Sequence, residues 1–128
     1  VQATCAQAVA SGDKELAEQA RALGAAAARL AEVTRTLWSA GDPNVTLANA
    51  SVYLEAFGHV VVAWIWLEQA LVAQAALGTA KGEDADFYRG KLAAAAYFFR
   101  FELPKIYPQL DLLASLDRTT LDMQDAWF

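Results

Sequence analysis

Leucines stand at Leu16, Leu23, Leu30 and Leu37, each seven positions after the last, with Ala20, Ala27 and Thr34 at the intervening steps of three and four. Apolar residues recurring at such steps share one face of an α-helix. This predicts a helix over about residues 13–40, with Ser11 or Asp13 to cap it and Gly41-Asp42-Pro43-Asn44 to stop it. A second stripe, Leu47, Ala50, Leu54, Phe57, Val61, Trp64, Glu68, Leu71 and Ala75, predicts a helix over about 46–77. Between Val60 and Leu67 its other faces are apolar too, which suits a helix at the centre of a fold or at an interface.

The third stripe is Ala85, Tyr88, Leu92, Ala96, Phe99, Leu103, Ile106, Leu110 and Leu113, over about 84–115. Glu83, Asp84 and Asp86 sit at its start, where the helix dipole favours negative charge. Pro104 and Pro108 interrupt the chain but not the stripe. Proline inside a helix costs about 3 kcal/mol, so a stop at Leu103 is the local reading. The continuous stripe argues instead for one long helix kinked near Pro104. Residues 1–12 read as a frayed start or an extension of the first helix. Thr119 to Phe128 read as a short helix or tail that docks Leu121 and Trp127. The expected fold is all-α: one antiparallel bundle of three long helices over residues 1–128, with a short C-terminal element.

Composition narrows the function. The net charge of −5 repels phosphate backbones, so no nucleic-acid role is expected. Cys5 is the only cysteine, which excludes an internal disulfide and fits a reducing, cytoplasmic setting. From Ala56 to Ala80 the only charged side chain is Glu68, a run long enough to cross a bilayer. Gly58, His59, Gln69, Gln74 and a central Glu argue for a helix buried in protein rather than a membrane span. The chain opens on Val1 with Met123 as its only methionine, so a piece of a larger protein is expected.

No catalytic constellation is legible. His59 is the only histidine, four residues from Glu55, whereas a carboxylate-bridged metal pair needs Glu-x-x-His on two helices. One Cys and one His make no zinc site. Neither Cys5 nor His59 lies in a nucleophile signature, and no glycine-rich phosphate loop occurs. The readings are catalytic residues none, cofactor-binding residues none, metal ligands none. His59 is expected to bond Glu55. Glu68 falls within an apolar stripe and needs a partner; folding back around Lys81 brings Lys91 within a turn, and a Glu68–Lys91 ion pair is expected. Gly58 and Gly90 inside helices suggest close helix packing. Arg89, Lys91, Arg100 and Lys105 make the third helix the basic one, read as a solvated face paired with acids, or more sharply as a contact for a polyanion such as coenzyme A. Trp64, Trp66, Phe98 and Phe101 exceed what one small core holds, and they are the candidate interface.

Two segments carry a resemblance. Phe57-Gly-His-Val-Val-Val-Ala-Trp-Ile-Trp-Leu-Glu-Gln-Ala70 is similar to the central helix of the extra C-terminal domain of long acyl-CoA dehydrogenases. Phe87-Tyr-Arg-Gly-Lys-Leu-Ala-Ala-Ala-Ala-Tyr-Phe-Phe-Arg-Phe-Glu-Leu-Pro104 resembles the helix that follows, and the closing Asp-Ala-Trp-Phe resembles that family's chain end. The family's pattern often has an acidic residue after Leu-Pro where this chain has Lys105. The resemblance implies a parent flavoprotein that uses FAD to introduce an α,β double bond into acyl-CoA thioesters. Its catalytic machinery would lie in upstream domains, and this module would pack on those domains or across a subunit interface of a homo-oligomer. The competing expectation is a stand-alone helical adaptor or a binder of apolar ligands.

Overall fold

The computed structural model describes residues 1–128. Six α-helices appear in chain order: α1 Gln2–Ala10, α2 Lys14–Ser39, α3 Pro43–Leu47, α4 Ala50–Leu77, α5 Gly82–Tyr97 and α6 Ile106–Ala114. There is no strand.

The first correction concerns residues 1–12, which neither fray nor extend the next helix. They form α1, closed by Gly12 in the left-handed region at φ +75°. There the backbone reverses, which glycine does without a Cβ clash. Asp13 then caps α2, accepting from the Leu16 amide at 3.0 Å. α1 lies against α2 and α4, burying Thr4 and Ala8.

α2 buries Leu16, Gln19, Ala20, Leu23, Ala26, Leu30, Val33 and Leu37, which is the predicted stripe with Ala26 and Val33 one position ahead of Ala27 and Thr34. Gly41, also left-handed, ends it. Asp42 caps α3 by accepting from the Asn44 amide at 2.9 Å, with Pro43 at the first helical position where no N–H is missed.

α4 is the central helix and carries the second correction. The bulky stripe read from the sequence is not what the bundle buries. The buried positions are Ala56, Val60, Ala63, Leu67, Ala70 and Ala73, while Leu54 and Phe57 lie exposed. The cause is volume: Leu16, Leu23, Leu30 and Leu37 from α2, with Ile106, Leu110 and Leu113 from α6, already fill the core. α4 answers them with small residues, so the backbones approach closely. By length and hydropathy alone α4 passes as a membrane span. In the fold α1, α2, α5 and α6 all pack on it.

The third long helix runs from Gly82 to Ala114 without a break in helical backbone, as the stripe required. The interruption at Pro104 takes a specific form. A π-turn at Phe98–Glu102 is followed by a 3₁₀ turn at Leu103–Lys105. Pro104 has no N–H, and its ring would meet the Arg100 carbonyl of a regular helix. The wide turn moves that carbonyl aside and the tight turn restores the phase. Phe99, Leu103, Ile106, Leu110 and Leu113 therefore all stay buried.

Leu116, at φ 54°, turns the chain back after α6. The tail is tied to the α3–α4 junction: Asn49 Nδ2 donates to the Asp117 carbonyl at 2.9 Å and Thr120 Oγ1 to the Ala48 carbonyl at 3.2 Å. Leu121 is half-buried. Trp127, expected to dock, is instead 62% exposed.

A candidate docking surface on the central helix

On α4, Leu54, Gly58, Val61, Ile65, Glu68 and Val72 recur at steps of four and three and so share one face. This face points away from the buried alanines. Leu54 is 68% exposed, Ile65 46% and Val72 66%. Val62, beside them, is also exposed. A Cβ added at Gly58 would meet nothing within 4 Å, which corrects the expectation that this glycine permits close packing inside the bundle. The same is true of Gly90. α4 is thus apolar on the side that builds the bundle and apolar again on the side that faces out.

Of the four aromatic residues singled out by sequence, three serve the chain's own fold. Trp64, Trp66 and Phe98 are half-buried against the core. Trp64 Nε1 donates to Thr4 Oγ1 at 2.8 Å, and Thr4 Oγ1 donates to Glu68 Oε1 at 3.2 Å. This chain of hydrogen bonds straps α1 onto α4. Phe98 meets the His59 ring, with centroids 6.1 Å apart. Only Phe101 is strongly exposed, stacked on the equally exposed Tyr97 at 4.8 Å. The sequence missed the apolar residues that do face out. Trp38, Leu47, Leu54, Ile65, Val72 and Phe87 were read as core, or passed over because each sits beside a stronger stripe.

The expected Glu68–Lys91 ion pair is not made. Glu68 takes the Thr4 hydroxyl, and Lys91 Nζ donates to Gln69 Oε1 at 3.3 Å. Lys91 also lies over the rings of Trp66 and Phe87, at 5.6 Å and 5.5 Å from their centroids. A lysine held against two ring faces is stabilised without a carboxylate. Glu68 and Lys91 do share an open cleft of about 360 Å³ with Gln69, Val72, Ala73, Phe87 and Tyr88.

His59 bonds the Glu55 backbone rather than its carboxylate: Nδ1–H donates to the carbonyl oxygen at 2.9 Å. Cys5 lies on α1 and donates to the Ala20 carbonyl of α2 at 3.4 Å, so it does not meet His59. Burial pushes the Cys5 thiol up, with the N-terminal ammonium opposing the shift. Nowhere do three His, Cys, Asp or Glu side chains converge as a metal site would need.

The basic residues of the third helix are mostly paired. Arg100 binds Glu15 through both carboxylate oxygens, at 2.9 and 2.8 Å, Arg89 meets Asp86 at 2.8 Å and Lys105 meets Glu102 at 2.6 Å. The hydrogen bond that Lys105 donates to Glu102 raises the Lys105 pKa. Arg29 of α2 reaches Asp111 of α6 at 2.8 Å. These exposed pairs add little stability. A flavin's phosphates need a cradle of backbone N–H groups or free cations. The three left-handed glycines here, Gly12, Gly41 and Gly82, all serve turns, and the open clefts are lined mainly by apolar side chains. The residues present do not fit a flavin site.

Comparison with known proteins places the chain in a family. The model of the family described as acetyl-CoA dehydrogenase C-terminal like matches residues 1–124. The chain belongs to this family. A broad-specificity linear acyl-CoA dehydrogenase of Mycobacterium tuberculosis, FadE5, is 32% identical over 77 residues, which is 59% of this chain and 13% of that protein. A butyryl-CoA dehydrogenase of Syntrophomonas wolfei is 30% identical over 98 residues, 74% of this chain and 16% of that protein. The chain thus spans about a sixth or less of the curated relatives it matches. The acyl-CoA dehydrogenase C-terminal domain is, in this chain, a helical bundle whose central helix turns a largely apolar face outward, with Glu68 its one charged residue.

Proposed function

We propose that this bundle is the packing and assembly domain of an FAD-dependent acyl-CoA dehydrogenase that introduces an α,β double bond into acyl-CoA thioesters in the cytoplasm. The catalytic residues, the flavin and the acyl-CoA would belong to other domains of the same protein, and the bundle would hold those domains or a second subunit. The observation that carries this reading is the outward face of α4. Leu54, Ile65 and Val72 are large apolar residues exposed along one face of α4, and exposed apolar surface of that kind marks an interface. Support for the dehydrogenase itself comes from the family and from the names of the relatives.

In the full-length protein, Ile65→Glu is expected to lower the assembly mass measured by light scattering, and Val72→Lys to do the same. Both residues are exposed in the bundle, so its fold is kept. Val9→Glu, at an exposed position of α1 away from that face, is expected to leave the mass unchanged. An unchanged mass for both α4 variants counts against the reading. The competing apolar-ligand binder would use the cleft beside Lys91, but that cleft is open and its lysine is already held by Gln69 and two rings.

A further inference from the structure

α1 lies in the groove between α2 and α4, and that groove does not end where α1 begins. Cys5 faces Ala20 of α2, and Val1 lines a cleft with Gly24, Ala27, Ala28 and Ala31, so α1 runs antiparallel to α2. Thr4 meets Trp64 and Glu68, and Asp13 accepts from Gln74 at 3.1 Å, so α1 runs parallel to α4. Beyond Val1 the groove continues, open. Its first part, about 460 Å³, is lined by Ala27, Ala31 and Thr34 on one wall and Tyr53, Phe57 and Val61 on the other. Its far part, about 130 Å³, shares Thr34 and Tyr53 and ends at Trp38 and Leu47. The polar groups along it are satisfied: Tyr53 O–H donates to Thr34 Oγ1 at 2.9 Å, and Thr34 Oγ1 donates to the Leu30 carbonyl at 2.8 Å. Small residues face bulky ones across a gap lined mainly by apolar side chains, which is the form of a helix seat.

We propose that the residues immediately preceding Val1 in the full-length protein continue α1 as a helix and fill this groove. The length follows from both walls. Stepping back along α1 moves up α2 from Ala27 toward Trp38 and down α4 from Val61 toward Ala50. Each wall offers about eleven residues, or roughly 16 Å of helix and three turns. The occupant presents an apolar residue at every third or fourth position toward Ala31, Thr34 and Phe57. It belongs to this chain rather than to a second copy, because Val1 already stands at the groove's lower end with its axis set by α1. This inference rests on the reading that the bundle is part of a longer chain, of which its relatives are examples.

Hydrogen exchange on the full-length protein, resolved by peptide, tests it. The stretch of about eleven residues before Val1 is expected to be protected to the same degree as α1. Ala31→Glu places a charge in the groove at an exposed position of α2, so the bundle still folds. That variant is expected to speed exchange of the upstream stretch about tenfold or more and to leave α5 and α6 unchanged. Upstream exchange at the unfolded rate, or protection indifferent to Ala31→Glu, overturns the proposal. Protection that disappears on dilution also overturns it, because the occupant is then another subunit. Ile65→Glu, which tests the assembly reading, is expected to leave this protection intact, so the two readings fail separately.

Discussion

At the residue scale, Thr4 does more than its small size suggests. It is buried, accepts from Trp64 and donates to Glu68. Thr4→Val keeps the shape and removes both bonds, leaving the indole N–H without its acceptor. The expected cost is about 1–2 kcal/mol, read as a lower urea midpoint. Cys5, next to it, reports the contact of α1 with α2 chemically. Its thiol is raised by burial, so the folded protein holds that proton more tightly than the unfolded chain does. The stability this gives is present below the ordinary thiol range and is lost as pH rises through it. The urea midpoint of the parent protein is expected to fall more steeply at alkaline pH than that of Cys5→Ala, and the folded thiol is expected to react with DTNB more slowly than the denatured one. None of this was legible beforehand. A threonine and a cysteine near a chain end carry no periodic signal, and their partners lie more than fifty and about fifteen residues away. Gln19 escaped for the same reason, being a polar side chain buried inside an apolar stripe.

At the scale of elements, α2 and α6 could be read because each has one apolar face and one polar face. The turns after α2 and α4 could be read because Gly41 and Gly82 stand where the backbone goes left-handed, whereas the one at Gly12 was not read. α4 could not, because a helix apolar all round has no phase to read. Its largest residues drew the expected seam outward, while the bundle took its alanines. The interruption at Pro104 was foreseen in place but not in form, since nothing in Phe98-Phe99-Arg100-Phe101-Glu102 announces a wide turn. The interior glycines give a direct check. With open space over Gly58 and Gly90, Gly58→Ala and Gly90→Ala are each expected to stabilise the protein by about 0.5–1 kcal/mol in chemical denaturation. A loss at Gly58 with a gain at Gly90 would place a partner's backbone directly over α4.

At the scale of the molecule, the surplus aromatic residues led the sequence reading to expect an interface, and the proposal above places it on other residues. Three of the four named, Trp64, Trp66 and Phe98, turned out to brace the bundle's own helices. One histidine and one cysteine leave few catalytic constellations for a sequence reading to consider. The bundle is a solid whose two unfinished surfaces, the outer face of α4 and the groove above α1, each ask for a different neighbour.

The two-sided apolarity of α4 also bears on the order in which the protein is made. Its last residue, Leu77, leaves the ribosome 37 residues before the end of α6 at Ala114. At about 5–20 residues per second, that interval lasts roughly 2–7 seconds. During it α4 has α1 and α2 beside it but not yet α5 and α6, so the surface those two helices cover is bare in addition to the outward face that stays exposed in the finished bundle. The nascent bundle has its greatest need of a chaperone in those seconds, before α5 and α6 arrive.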